Sequence, residues 1–166
     1  MSAVYFFDTS ALVKRYVNEV GSGWVRAITD PTALNDIHVA RITGAEALAA
    51  VTASRRRNDI TEPEAARIIA DFRYDFTHQY LPIELTGVIV AHAMALVESH
   101  PLKGYDAVQL ATALAVSGHL AALGAATPRG SVTSSSFMLS FVTADNALDR
   151  AAIAEGLIVE NPHLHP

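Results

Sequence analysis

The sequence predicts an α/β domain of three layers, in which helices cover both faces of a mainly parallel central sheet. Short apolar runs alternate along the chain with longer alanine-rich or amphipathic segments, which is the order of strands and helices in such folds. The chain has 166 residues, of which 51% are hydrophobic and 17% are charged, so it can bury a sizeable core. No internal repeat and no linker divides it, and we expect one domain over residues 1–166.

Five short segments rich in apolar, β-branched or aromatic residues are predicted as strands. The third is the weakest, because it contains Pro82 and a proline cannot donate to the hydrogen-bond ladder. The strand segments are 3–7, 37–39, 80–85, 137–143 and 157–159.

The segments between these strands are predicted as helices, two of them with recognisable first residues. Thr61 and Glu64 form a capping box, and Asp8 begins a turn that can cap the first helix. The stretch 124–136 is rich in glycine, alanine, serine and threonine, which predicts a flexible loop. The helices are expected at 11–17, 24–28, 43–57, 62–77, 87–99, 106–118 and 146–155.

Composition excludes several classes of function. The formal net charge of -5 argues against a broad basic surface for nucleic acid, while a local basic patch remains open. The chain has no cysteine, which excludes disulfides, thiolate zinc sites and a cysteine nucleophile and fits a cytoplasmic location. The N-terminus lacks the features of a signal peptide, and the apolar runs are shorter than the roughly 18 residues of a membrane span, so we expect no membrane contact.

Four acidic residues lie within or directly beside apolar segments: Asp8, Glu46, Asp106 and Asp145. Acidic side chains are rarely buried unless they are paired or bind a metal, so four such placements predict one convergent site that holds a hard cation. A structural alternative stays open for each residue, since the three aspartates could simply cap helices and Glu46 could be a solvated helix residue.

The grouping of these carboxylates indicates metal-assisted hydrolysis of phosphodiesters. Two unit charges 4 Å apart repel by roughly 4 kcal/mol at an effective dielectric of 20, and protons or a divalent cation must relieve this repulsion. Mg²⁺ and Mn²⁺ prefer all-oxygen sites and take substrate phosphates as further ligands. Such an ion would orient a water molecule, promote its deprotonation and stabilise charge on the phosphate oxygens.

Four stretches of the chain, taken in order, resemble PIN-domain proteins and most closely the VapC-type toxins of bacterial toxin–antitoxin pairs. The first is Asp8-Thr9-Ser10-Ala11-Leu12-Val13-Lys14-Arg15-Tyr16, followed by Glu46 in its helix. The others are Leu102-Lys103-Gly104-Tyr105-Asp106-Ala107 and Val142-Thr143-Ala144-Asp145. The resemblance covers nearly the whole chain.

This resemblance implies a three-layer PIN-like fold and a ribonuclease that depends on Mg²⁺ or Mn²⁺. It assigns Asp8, Asp106 and Asp145 as metal ligands, directly or through water, and Glu46 as acting on the metal or on a water bound to it. Ser10 and Thr143 would orient the carboxylates. The resemblance also implies an RNA substrate, a homodimer and a cognate antitoxin that blocks the site.

Basic residues form two small groups that could contact RNA phosphates or an acidic partner. Lys14 and Arg15 follow Asp8 by one to two helical turns, and Arg55, Arg56 and Arg57 form the densest basic run. The alternative for the arginine run is a solvated helix end, where cations complement the helix dipole.

Two other classes of function remain as alternatives. The first is a catalytically weak PIN-like module that binds RNA or a partner without turnover. The second is phosphotransfer with Asp8 as nucleophile, which usually requires a second acidic residue two positions on, where this chain has Ser10. Dinucleotide binding is disfavoured, because no Gly-x-Gly-x-x-Gly follows the first strand.

Overall fold

The structure, a computed structural model, describes residues 3–126 and 138–165. Five parallel strands form one sheet in the order β3-β2-β1-β4-β5. The strands are β1 (Val4–Phe7), β2 (Asp36–Ala40), β3 (Leu81–Ile83), β4 (Leu139–Val142) and β5 (Ile158–Glu160). The chain leaves β1 for β2 on one side and returns to β4 on the other, which makes the ends of β1 and β4 the switch point where open α/β sheets bind ligands.

Helices connect these strands, and three short 3-10 turns complete the described chain. The turns are Val13–Arg15, Pro31–Ala33 and Pro162–Leu164. The helices are α1 (Thr9–Leu12), α2 (Ser22–Ile28), α3 (Thr43–Arg56), α4 (Glu62–His78), α5 (Gly87–Ser99), α6 (Gly104–Ala126) and α7 (Asn146–Ala154).

Alternating side chains of the strands fill two cores, one on each face of the sheet. Phe6 and Phe141 pack with α5, α6 and α7 on one face. Phe7, Ile37 and Val142 pack with α1, α2, α3 and α4 on the other. This confirms the prediction of a three-layer α/β/α fold around a parallel sheet, because successive residues of a strand point to opposite faces.

Most predicted elements are present, and the largest difference concerns α6. The predicted helix 106–118 begins two residues earlier and continues to Ala126, because the alanines and leucines after Gly118 favour helix more than one glycine disfavours it. The predicted loop 124–136 is therefore wrong at its first three residues, and its remaining residues lie outside the described ones. The first predicted helix is shorter than expected, since α1 gives way to a 3-10 turn at Val13.

Helix α6 is long and apolar enough to cross a bilayer by length and composition alone. Its residues Ala107, Leu110, Ala111 and Ala113 are instead buried against the sheet and α5. These buried residues account for part of its apolar character.

A polar network joins the end of α1 to α2 and α4. The Arg15 guanidinium donates to Asp75 Oδ2 through Nε at 2.9 Å and to the Thr29 carbonyl through Nη1 at 2.7 Å. The Tyr16 hydroxyl also donates to Asp75 Oδ2, at 2.7 Å, and hydrogen-bonds to the hydroxyl of Tyr80. Because Asp75 is only 9% exposed, these donors stabilise a charge that would otherwise be costly to bury.

We expect Arg15→Ala to lower the free energy of unfolding by about 3 kcal/mol, because it leaves the Asp75 carboxylate buried without its cation. Arg67→Ala is the matched control, since Arg67 forms an exposed ion pair with Asp71 on α4 and such pairs contribute about 0.5 kcal/mol. Urea denaturation of both variants measures the difference. Equal losses in the two variants would contradict a structural role for Arg15.

Candidate active site

The four acidic residues lie at the carboxyl ends of β1 and β4 and on the helices beside them. Asp8 directly follows β1, and its backbone N–H donates to the Val142 carbonyl at 3.1 Å. Asp145 follows β4 and caps α7, while Glu46 and Asp106 lie in the first turns of α3 and α6. The parallel register, which pairs Phe7 with Val142, brings the two strand ends to the same point of the sheet edge.

The carboxylate of Asp8 is buried, 4% exposed, and is held by three donors. Ser10 Oγ donates to Oδ1 and Oδ2 at 2.9 and 2.8 Å, Thr143 Oγ1 donates to Oδ2 at 3.1 Å, and the Ala11 backbone donates to Oδ1 at 3.0 Å. Burial raises the pKa of Asp8 from 3.8 to about 7, although these hydrogen bonds oppose the rise and the charge of Asp106 adds to it. A buried carboxyl with such a pKa is typical of functional sites.

The carboxylate of Glu46 is oriented by residues from two other helices. Thr9 Oγ1 donates to Glu46 Oε2 at 2.7 Å, and Gln109 Nε2 donates to the same oxygen at 2.6 Å. Gln109 is 2% exposed, and its amide also contacts the Thr43 hydroxyl at 2.9 Å. Among the described residues, none donates to Glu46 Oε1, so this oxygen is available to a ligand.

Asp106 is electrostatically coupled to the other three acidic residues. Burial is the main cause of its raised pKa, and the charges of Asp145 and Glu46 raise it further. Lys103 opposes the rise through its charge and through its backbone N–H, which donates to the carboxylate. The prediction that the four acidic residues belong to one region is consistent with this coupling.

Asp145 caps α7, which is the structural role considered for it, and it also lies near the other predicted site residues. Its Oδ1 accepts from the backbone N–H groups of Ala147 and Leu148 at 2.8 and 2.9 Å. Its own N–H donates to Thr143 Oγ1 at 3.1 Å, and the Ala144 N–H donates to Ser10 Oγ at 3.0 Å. The hydroxyls of Ser10 and Thr143 therefore join the β1 and β4 ends of the site.

The chemistry of these side chains fits a hard divalent cation. The available ligand atoms are all carboxylate oxygens. A cation would offset the energetic cost of burying the Asp8 charge and the repulsion between Asp106 and its acidic neighbours. Within residues 3–126 and 138–165, no three histidine, aspartate or glutamate side chains converge as a compact ligand cluster. An ion that keeps several of its waters, as Mg²⁺ usually does, can bridge such wider spacings.

Most of the basic residues expected to contact RNA are paired with other groups of the protein. Lys14 is buried, its ammonium donating to the Val20 carbonyl and lying 3.4 Å from Glu19, and Arg15 belongs to the Asp75 network. Arg55 pairs with Glu62 and Arg57 pairs with Asp59. Lys14 and Arg15 are thus corrected to structural roles, because their charged groups are held by partners within the protein, whereas the exposed Arg56 remains a candidate.

Sequence reasoning missed four residues near the carboxylates. Thr9 and Gln109 donate to Glu46, Thr43 contacts the Gln109 amide, and Lys103 supplies the positive charge next to Asp106. Gln109 carried a recognisable signal, since it is a polar residue one helical turn after Asp106 on an apolar helix face. No sequence signal identified Thr9 or Thr43, because each is distant along the chain from the residue that it contacts: Thr9 contacts Glu46, and Thr43 contacts Gln109.

The chain is similar to two curated ribonucleases of Mycobacterium tuberculosis. Ribonuclease VapC45 (strain CDC 1551 / Oshkosh) and Ribonuclease VapC49 (strain ATCC 25618 / H37Rv) are each 41% identical over 113 residues, covering 67% of this chain and 75% of theirs. No protein-family model matches the chain.

Solved structures that resemble this fold come from three complexes. FitAB bound to an IR36 DNA fragment matches with a TM-score of 0.63 at 14% identity, over 96% of this chain and 95% of the other. FitAcB of Neisseria gonorrhoeae matches with a TM-score of 0.58 at 16% identity, over 95% and 97% of the two chains. VapBC2 of Rickettsia felis bound to a promoter DNA fragment matches with a TM-score of 0.55 at 14% identity, over 95% of this chain and 98% of the other. These identities support similarity of fold.

We expect the metal-free protein to lose stability as the pH rises from about 4 to about 7. The folded state binds the Asp8 proton more tightly than the unfolded state does, because the pKa of Asp8 is higher in the folded state. This proton therefore stabilises the folded state at low pH, and the stabilisation is lost as the pH rises through the folded-state pKa of about 7. Each pKa unit corresponds to roughly 1.4 kcal/mol. In EDTA, Asp8→Asn should therefore melt at a higher temperature than wild type at pH 8.

The advantage of Asp8→Asn over wild type should shrink at pH 5, where the wild-type carboxyl keeps its proton. Asp71→Asn, which alters an exposed carboxylate on α4, is the control and should show no such pH-dependent difference. Thermal melts at both pH values provide the measurement. A constant difference between Asp8→Asn and wild type at the two pH values would contradict the raised pKa.

Proposed function

This chain belongs to the VapC ribonuclease family, and we propose that it cleaves RNA at Asp8, Glu46, Asp106 and Asp145 with bound Mg²⁺ or Mn²⁺. It is the endoribonuclease toxin of a toxin–antitoxin pair. The observation that supports the site assignment is the placement of these carboxylates at the switch point of the sheet, where Thr143 hydrogen-bonds to both Asp8 and Asp145 and Thr9 of α1 holds Glu46. We expect the protein to act in the cytoplasm, where its RNA substrate is found.

Asp8, Asp106, Asp145 and Glu46 would hold the ion, some of them through water. Glu46 Oε1 faces no described donor, and Asp145 uses only Oδ1 as a helix cap, so each has one oxygen to offer. Ser10, Thr143, Thr9 and Gln109 keep the carboxylates oriented by direct hydrogen bonds. A bound divalent ion supplies the Lewis acidity that lowers the pKa of water and stabilises negative charge on the phosphate.

The reaction is in-line hydrolysis of a phosphodiester. The water oxygen forms a bond to phosphorus, the bond from phosphorus to the 3′ oxygen breaks, and that oxygen takes up a proton. The products are a 5′-phosphate and a 3′-hydroxyl. We expect Glu46 to accept the proton of the attacking water and the exposed Lys103 to attract the phosphate next to Asp106; the hydrogen bond that orients Glu46 and the charge of Lys103 support these roles.

A cognate antitoxin is the proposed protein partner, and a homodimer is the proposed assembly. The helix α5 supports the second proposal, since it exposes a row of large apolar side chains that a monomer would leave in water. Val88 is 80% exposed, Met94 63% and Val97 41%.

We expect wild-type protein to cut single-stranded RNA in Mg²⁺ or Mn²⁺ and to be inactive in EDTA. Asp8→Asn and Asp106→Asn should each lower the cleavage rate at least a hundredfold, because each removes a negative charge that holds the ion. Asp71→Asn should cleave like wild type, since Asp71 is exposed on α4. Gel analysis of total RNA and mapping of the product ends provide the measurement, and equal rates in all four proteins would refute the assigned site.

Binding of the ion should also be visible without any reaction. An ion that binds only the folded state raises its melting temperature, so millimolar Mn²⁺ or Mg²⁺ should stabilise wild type and Asp71→Asn alike. Asp106→Asn should show a smaller shift, because it lacks one ligand and its charge. A melting temperature that none of these ions changes would argue against a metal site here.

A further inference from the structure

An apolar recess of about 360 Å³ lies directly beside the carboxylate site. One wall is a stripe of α3 at helical spacing, formed by Ile42, Ala45 and Ala49 together with the carboxylate of Glu46. The facing wall is Tyr105, the residue before Asp106, whose side chain is 59% exposed. The recess therefore shares Glu46 with the proposed catalytic site and opens next to Asp106.

The walls of this recess suit a flat, partly apolar group. Ala45 and Ala49 are exposed and carry only a methyl group each, so the floor of the recess is shallow and smooth. A tyrosine that remains exposed offers its ring face for stacking, at a position where burial in the core does not account for it. Unstacked bases of single-stranded RNA are commonly recognised by stacking on aromatic side chains.

Charge near the recess favours nucleic acid over an apolar ligand. Lys103 is exposed two residues before Tyr105, and its charge acts on Asp106. A phosphate attracted by Lys103 and the carboxylate-bound ion would carry its attached nucleoside to the Tyr105 side of the site.

We propose that the recess between Tyr105 and the Ala45–Ala49 face of α3 binds the base of a nucleotide that flanks the cleaved phosphodiester. This proposal rests on the ribonuclease function proposed above. Tyr105 is then a residue that positions the substrate and influences which nucleotides are cut, and it takes no part in proton transfer.

The test compares Tyr105→Ala with Tyr105→Phe and with Tyr74→Ala, a control at a tyrosine on α4 that is 64% exposed. A second pair is Ala49→Leu, which fills the recess, and Ala50→Leu, which changes the next, also exposed, residue of α3. The probe is a short single-stranded RNA that spans a junction mapped with the wild-type protein, or a labelled poly(U) strand if no junction is found. Binding is measured by fluorescence anisotropy in Ca²⁺, a hard oxygen-binding cation, and cleavage is measured in Mn²⁺.

Loss of stacking should weaken RNA binding and raise KM about tenfold in Tyr105→Ala and Ala49→Leu, while kcat changes much less. Tyr105→Phe, Tyr74→Ala and Ala50→Leu should behave like wild type, because each keeps the stacking face and the open recess. Removing the base next to the cleaved bond should weaken binding to wild type but cause little further loss in Tyr105→Ala. Melting temperatures confirm that each variant is folded.

Several outcomes would overturn the proposal. Unchanged RNA binding in Tyr105→Ala and Ala49→Leu would do so, and so would a loss in Tyr105→Phe as large as that in Tyr105→Ala, since the ring would then not be the contact. If the recess variants lose only the antitoxin, the recess serves a protein partner. If wild type binds RNA through Tyr105 without cleaving it, the catalytic proposal fails and the base site stands, whereas absence of both binding and cleavage refutes both.

Discussion

The structure of the site depends on the burial of one carboxylate, that of Asp8, where β1 meets β4. The parallel register pairs Phe7 with Val142, so the residues that follow these strands, Asp8 and Thr143, contact each other through a hydrogen bond of 3.1 Å. A slip of one residue would turn the side chains of a strand to the opposite face and remove this contact. Because burying a charge without compensation is costly, the donors around Asp8 stabilise the fold as well as orienting the carboxylate.

A single amide connects the three helices that complete the site. Gln109 of α6 donates to Thr9 of α1 at 3.1 Å, to Thr43 of α3 at 2.9 Å and to Glu46 of α3 at 2.6 Å. These helices cover opposite faces of the sheet, so their functional side chains meet only around its carboxyl edge. The buried amide therefore fixes the position of Glu46 relative to Asp106, and helix packing on both faces determines the geometry of the carboxylates.

Structural and functional readings of the acidic residues are not exclusive in this protein. Asp8 caps α1 and Asp145 caps α7, yet both also belong to the proposed site, and Asp145 satisfies the cap through Oδ1. The backbone N–H groups that stabilise a helix start also orient the carboxylate for a cation. Because one aspartate can serve both purposes, two parallel strands that are each followed by an aspartate and a helix can form such a site without additional loops.

The sequence by itself determined the α/β class, most strands and helices and the four acidic residues, because hydrophobic periodicity, capping signals and carboxylates in apolar surroundings are local features. It did not determine the length of α6, the structural roles of Lys14 and Arg15, or the contacts of Thr9 and Gln109 with Glu46. Those depend on how segments distant along the chain pack: Arg15 pairs with Asp75 and Gln109 with Glu46 only after the helices pack around the sheet. The tertiary structure alone decided which charges are neutralised within the protein and which oxygens remain for an ion, since both follow from burial and distance.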